Sequence, residues 1–241
     1  MPERDIIISG SFNTRDLGGY PTCYGRPVAW RRAIRSGNVA ALDRNGVARL
    51  KQLNVTRVID LRSERERQAE PHAIRPEDGV ELIAIPLFDG LDPSRIPRGD
   101  MLLGLYVQAL ETQGRLFVET LRLIGSSAGA ALFHCTVGKD RTGLVAALLL
   151  ALAGVDEGDI VADYAMTAER IARLPGGPDA ILARLGLDGR RYAQLLACDP
   201  SVMRRTLDWL TDNFRGAGDY LRAHGLTDSE LEQVRAHLGV A

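Results

Sequence analysis

The stretch GAALFHCTVGKDRTGLVAALLLALAG, residues 129–154, decides the fold. Residues 129–133 are compact and apolar, as a core strand is. Residues 142–153 are apolar on every side, which marks a buried helix, and Gly154 is placed to stop it. Between them runs His134-Cys135-Thr136-Val137-Gly138-Lys139-Asp140-Arg141-Thr142-Gly143. A core strand that passes through a tight loop into a buried helix is a unit of an α/β fold.

Upstream, Val47, Leu50 and Leu53 have helical spacing and lead into a β-branched run at 55–61, read as a core strand, with 80–87 as another. Residues 6–8 and 27–35 read as short strands flanking the turn Asp16-Leu17-Gly18-Gly19-Tyr20-Pro21. An exposed loop at 88–100 precedes a helical pattern at 101–124 that breaks near Gly114. Beyond Gly154 the pattern is helical: 157–174, 179–185, 192–197, 201–214 and 228–238, the last opened by a capping box from Thr227 to Glu230. The expected architecture is α/β: a central, mostly parallel sheet flanked by helices, one domain over residues 1–241. Residues 156–215 are either a helical lid, hinged at Pro175-Gly176-Gly177-Pro178, or an ordinary layer on the sheet.

The 241 residues are 45% hydrophobic, enough for one substantial core, and the net charge of −1 gives no global field for nucleic acid or an anionic membrane. The longest apolar run, 144–153, is far short of the roughly 20 residues that span a bilayer. With no secretory signal read at the start, the expected location is cytoplasmic, export by an unrecognised route aside. Cys23, Cys135 and Cys198 make neither a disulfide framework nor a metal-ligand spacing, so reduced thiols and no metal or other cofactor are expected.

The loop after Cys135 has the composition of an anion nest. Backbone N–H groups curling into a helix N-terminus converge on a phosphate, and the same field stabilises a thiolate, which is the nucleophile. Gly138 lets the backbone curl, and Thr136, Val137, Lys139 and Gly143 complete the wall. Arg141 can return to the same centre and grip two phosphate oxygens with its planar fork. Thr142 can donate its hydroxyl to the departing sulfur. The spacing alone is not decisive, because Cys198 and Arg204 share it. That second segment contains Pro200, lacks glycine, has Arg205 where a hydroxyl is wanted and follows no strand. Cys23 is read as structural.

His-Cys-x5-Arg-Thr-Gly resembles the signature loop of the cysteine-dependent protein tyrosine phosphatases, and the filling Thr-x-Gly-Lys-Asp is similar to an atypical bacterial branch of them. Asn13 with Arg15-Asp16-Leu17-Gly18-Gly19, the pair Arg35-Ser36, and Asp60-Leu61-Arg62 with Glu66 are similar to further elements of that branch. Thr14 departs from it, standing where an aromatic is usual. The resemblance runs over about residues 11–170. It implies a phosphotyrosine protein phosphatase-like fold and hydrolysis of phosphomonoesters through a cysteinyl-phosphate. Phosphotyrosine in protein comes first, dual or lipid specificity is allowed, and a phosphoinositide or inositol phosphate is the alternative substrate. Lys139 suits the broader range, as a substrate contact, or is a solvated loop charge.

The leaving alcohol needs a proton, and no Trp-Pro-Asp element supplies it. Asp140, in the loop itself, is the residue the resemblance points to. Asp60 also ends a strand and would face the site if its strand neighbours that of Cys135; otherwise it orients Arg62 or the loop. Asp89 follows the 80–87 run. His134 is read as positioning Cys135 rather than carrying protons. Two other classes fit the sequence less well. A phospho-reading protein without activity would lack Cys135 or Arg141, and both are present. A DNA-reading helix pair at 220–238 would want basic residues where Asp228, Glu230 and Glu232 stand, so no nucleic acid partner is expected.

Overall fold

The structure, a computed structural model, describes residues 3–92, 94, 96, 101–174, 176–177, 179 and 198–241. Five strands pair into one sheet: β1 (Arg15–Asp16), β2 (Ala33–Ser36), β3 (Val55–Asp60), β4 (Glu81–Ala84) and β5 (Ala130–His134). Their order is β1-β2-β5-β3-β4, antiparallel between β1 and β2 and parallel elsewhere.

Strand alternation sorts the core into two faces. Ala130 and Leu132 of β5, with Ile34 of β2, pack with Leu50 of helix α1 (Arg44–Gln52). Ala131 and Phe133 face the opposite way, into the larger cluster. A register shift between Val55 and Arg57 keeps Val55 and Val58 on the α1 side while Ile59 and Leu61 join the other. The short helix α2 (Glu64–Ala69) follows β3. The larger cluster is built by α3 (Met101–Gly125), α4 (Asp140–Leu152), α5 (Glu157–Ala172), α6 (Pro200–Phe214), α7 (Ala217–Ala223) and α8 (Asp228–His237). Helix α4 is buried nearly all round, as its unbroken apolar sequence requires.

Several boundaries differ from the sequence reading. Residues 6–8 form no strand; Asp5 makes a single bridge to Arg15, while Ile6 and Ile8 bury on the α1 side. The 80–87 run shortens to four residues because β4 is an edge strand paired only with β3, and Glu81, Leu82 and Ala84 stay exposed. The break expected near Gly114 falls at Gln113 (φ −121°, ψ 20°). There the Gln113 amide bonds the Phe88 N–H at 2.8 Å and the Asp89 carbonyl at 2.7 Å, tying the loop after β4 to α3. The capping box of Thr227 and Glu230 forms as expected. Of the 156–215 segment, α5 and α6 place Tyr164, Ile171, Met203 and Leu207 in the main core. The 179–185 and 192–197 helices lie outside the described residues, apart from Asp179. Among the described residues no helix is long and apolar enough to cross a membrane.

The parallel pairing of β3 with β5 sets Asp60 opposite His134, so the carboxyl ends of both strands open onto one edge of the sheet. Cys135 leaves β5 at that edge.

Candidate active site

The loop from Cys135 to the first turn of α4 curls around the sulfur. Gly138 takes φ +74°, and its N–H reaches the Cys135 Sγ at 3.3 Å. A Cβ at Gly138 would stand 2.5 Å from the Ser36 carbonyl oxygen, so the close approach of β2 and the positive φ both require glycine. Cys135 is 2% exposed, at the floor of the loop.

What holds the loop in this shape comes from distant segments. Asn13 donates from Nδ2 to the carbonyls of Val137 and Gly138, both at 3.1 Å, and Arg35 donates from Nη2 to the Gly138 carbonyl at 2.9 Å. With those carbonyls drawn outward, the Gly138 N–H is left facing the sulfur. Arg35 is itself anchored on Asp163 of α5, which also receives Arg15 Nε at 2.9 Å and the Tyr20 hydroxyl at 3.2 Å. Burial works against the Asp163 charge, but the Arg15 and Arg35 guanidiniums hold its carboxyl well below the usual range. Burial, then the neighbouring Arg15 charge, draws Arg35 down to about 10. Thr14, at the one departure from the resembled pattern, is buried and shares a 2.6 Å hydrogen bond with the Ser36 hydroxyl.

Arg141 lies over the loop with its fork on Glu66: Nη1 to Oε2 at 2.6 Å and Nη2 to Oε1 at 2.8 Å. Glu66 occupies the third position of α2, whose capping box with Ser63 fixes its carboxylate, and it also accepts from the Thr136 hydroxyl. Burial opposes its charge, yet Arg141 and Thr136 bring its carboxyl down to about 2. The pair leaves further N–H donors of the guanidinium for an anion. Thr142 is buried, and its hydroxyl has no hydrogen-bond partner among the described residues.

The three acid candidates separate cleanly. Asp60 is 1% exposed and accepts from Arg62 through Nε at 3.0 Å, Nη2 at 2.7 Å and the backbone N–H at 3.0 Å, and from His72 Nε2 at 2.8 Å. Although burial opposes its charge, His72 and Arg62 hold its carboxyl far below the usual range, so at neutral pH it has no proton to give. The acid role weighed for Asp60 does not fit this geometry; orientation of Arg62 does. Asp60, His72 and His134 also cluster closely enough for a cation. Both oxygens of Asp60 are already filled by N–H donors, which a cation would have to displace. Asp89 is exposed on the loop after β4. Asp140 stands in the site, with Oδ1 accepting from the Tyr106 hydroxyl at 2.5 Å and lying 3.3 Å from the Lys139 ammonium. Lys139 is therefore no solvated charge: it is buried, its ammonium turned to Asp140.

His134 packs beneath the loop with Nδ1 at 3.2 Å from the Cys135 carbonyl, and burial lowers its pKa to about 3, so it stays neutral and cannot carry a proton from outside. Cys198 is buried, its thiol pushed up to about 11 by burial against the lowering charge of nearby Lys139, while Arg204 is exposed on α6. Cys23, read as structural, is exposed.

A family model described as "Tyrosine phosphatase family" matches residues 6–240. The chain belongs to that family. A tyrosine-protein phosphatase of Nostoc commune is 31% identical over 92% of this chain and 79% of its own length. The triple specificity protein phosphatase PtpB of Mycobacterium tuberculosis is 28% identical over 96% of this chain and 98% of its own. Among solved structures, Pseudomonas aeruginosa TpbA aligns with a TM-score of 0.36 and 18% identity over 86% of each chain. The activity of the chain is thus hydrolysis of phosphotyrosine, and the tyrosine phosphatase resemblance of its loop is a family relationship over nearly the whole length.

Tyr106, Tyr164 and Asp163 were not singled out in the sequence. One signal for Asp163 was there: with Thr167 it puts polar groups beside the apolar stripe of Ile160, Tyr164 and Ile171, and both are buried.

Proposed function

We propose that Cys135 is the nucleophile of this tyrosine phosphatase and that Asp140 is its acid and base. The Cys135 sulfur attacks phosphorus as the bond to the tyrosyl oxygen breaks, and Asp140 gives that oxygen its proton. A water then attacks the cysteinyl-phosphate, Asp140 takes its proton, and the thiolate leaves with inorganic phosphate formed. Loop N–H groups and Arg141 carry the charge that spreads onto the equatorial oxygens. The Thr142 hydroxyl, without a hydrogen-bond partner among the described residues, is the donor that meets the departing thiolate. The observation that carries the reading is the Gly138 N–H on the Cys135 sulfur beneath an Arg141 fork already aligned by Glu66.

Phosphotyrosine in protein stands first among substrates. The triple specificity in the name of the M. tuberculosis relative supports a substrate range broader than phosphotyrosine alone. A phosphoinositide is the alternative that the family resemblance allows; Lys139, which suited that breadth as a substrate contact, is buried with its ammonium on Asp140 and adds little to it. A reducing compartment suits a catalytic thiol, and the cytoplasm is the location we assign. Turnover of a phosphotyrosyl peptide, the matching phosphoseryl and phosphothreonyl peptides and a phosphoinositide, compared side by side, tests the order. The phosphotyrosyl peptide should have the highest kcat/KM; a higher value for the phosphoinositide reverses the assignment.

A further inference from the structure

Asp140 has an asymmetric environment. Its Oδ1 takes the Tyr106 hydroxyl at 2.5 Å and lies 3.3 Å from the Lys139 ammonium, while Oδ2 receives no hydrogen bond among the described residues. Tyr106 comes from α3, is fully buried, and packs against Phe88 of the loop after β4 and edge-on against Tyr164. The two tyrosine hydroxyls lie 2.9 Å apart. A carboxylate only accepts, so the Tyr106 proton is committed to Asp140, and Tyr164 is the donor to Tyr106. Two side chains thus meet one oxygen, Tyr106 of α3 and the loop lysine, and Tyr164 of α5 backs the first of them.

We infer that Tyr106, backed by Tyr164, is the positioning residue that fixes Asp140 through Oδ1 and leaves Oδ2 to carry the proton to and from the reacting oxygens. The inference rests on Asp140 being the acid. An acid presented by a moving loop must travel before it donates. Here the acid sits at the start of α4, beside the nucleophile's own loop, and a buried tyrosine pair sets its rotamer. Burial raises the Tyr106 pKa well above its ordinary value, with the adjacent Asp140 charge adding to it, so the phenol keeps its proton at all working pH values.

The test is the dependence of kcat/KM on the leaving group. A good leaving group such as p-nitrophenolate needs little help from an acid, whereas phenolate needs it. Tyr106→Phe should lower kcat/KM about 10-fold on phenyl phosphate but only about 2-fold on p-nitrophenyl phosphate. Tyr164→Phe, which spares the Tyr106 donor, should show the same bias more weakly. Asp140→Ala should show it most strongly. The ratio between the two substrates cancels any difference in the fraction of folded enzyme. Equal losses on both substrates in Tyr106→Phe, with the bias intact in Asp140→Ala, would overturn the tyrosine role alone. Loss of the bias in Asp140→Ala would instead remove the acid assignment on which it stands.

Discussion

Both guanidinium nitrogens at the tip of Arg141 meet both carboxylate oxygens of Glu66, at 2.6 and 2.8 Å, before any substrate is present. The fork is thereby aimed at the loop at no cost in side-chain freedom when phosphate arrives. Glu66→Gln keeps the shape and removes the charge. It should lower kcat/KM for a phosphotyrosyl peptide about 10- to 100-fold, the range expected for losing hydrogen bonds to a charged group. A change of less than about 2-fold in steady-state assays would show that Arg141 finds its place without Glu66.

Asp163 compensates two buried guanidiniums at once, Arg15 and Arg35. Asp163→Asn should therefore destabilise the fold by about 3–5 kcal/mol, because it leaves both charges buried without a counter-ion. Urea unfolding measures this. Since Arg35 also draws the Gly138 carbonyl away from the sulfur, the folded fraction should lose activity as well.

Gly138→Ala tests the loop itself. With φ at +74° and a Cβ 2.5 Å from the Ser36 oxygen, the substitution forces the loop off β2. The strain is of order 1–3 kcal/mol. Thermal unfolding should register a loss of that size, and phosphatase activity should fall far more than the melting temperature does.

Acid should weaken the fold in two steps. Burial holds His134 neutral down to about pH 3 in the native state, whereas an exposed histidine takes its proton near 6.5. Between those values the unfolded chain binds the extra proton, so stability falls as pH falls, by up to about 1.4 kcal/mol per pH unit. Glu66 adds a second loss between its ordinary 4.5 and about 2, where the native carboxylate is the deprotonated state. Urea midpoints measured from about pH 7 to about pH 5 leave Glu66 out of the slope; burial lowers the His237 pKa as well, so His134→Asn should flatten the slope in part. An unchanged slope would mean that His134 takes its proton without loss of the native fold.

The loop around Cys135 was legible because its determinants are contiguous: strand, glycine loop and buried helix follow one another from Ala130 to Leu152. The inner strands β3 and β5 were legible for the same reason, but the rim of the sheet was not: β1 runs into a segment read as a turn, residues 6–8 form no strand, and at β4 hydrophobicity does not reveal that a strand is at the edge. Asp60 was readable as a strand end facing the site, but not as a carboxylate already saturated by Arg62 and His72. That depends on how the chain turns after β3. Lys139 misled in the opposite way, since a lysine in a polar loop gives no sign that its ammonium folds inward onto Asp140. The supports farthest from sight were Asp163 and Tyr106, whose partners lie 128 and 34 residues away along the chain, at separations that no local pattern encodes.

The central claim is a covalent one, and mass spectrometry after acid quench of the enzyme turning over a phosphotyrosyl peptide addresses it directly. The account predicts one phosphoryl group on the peptide containing Cys135 and none in Cys135→Ser, which should also lose turnover. A phosphoryl group on another residue, or retained turnover in Cys135→Ser, would contradict it.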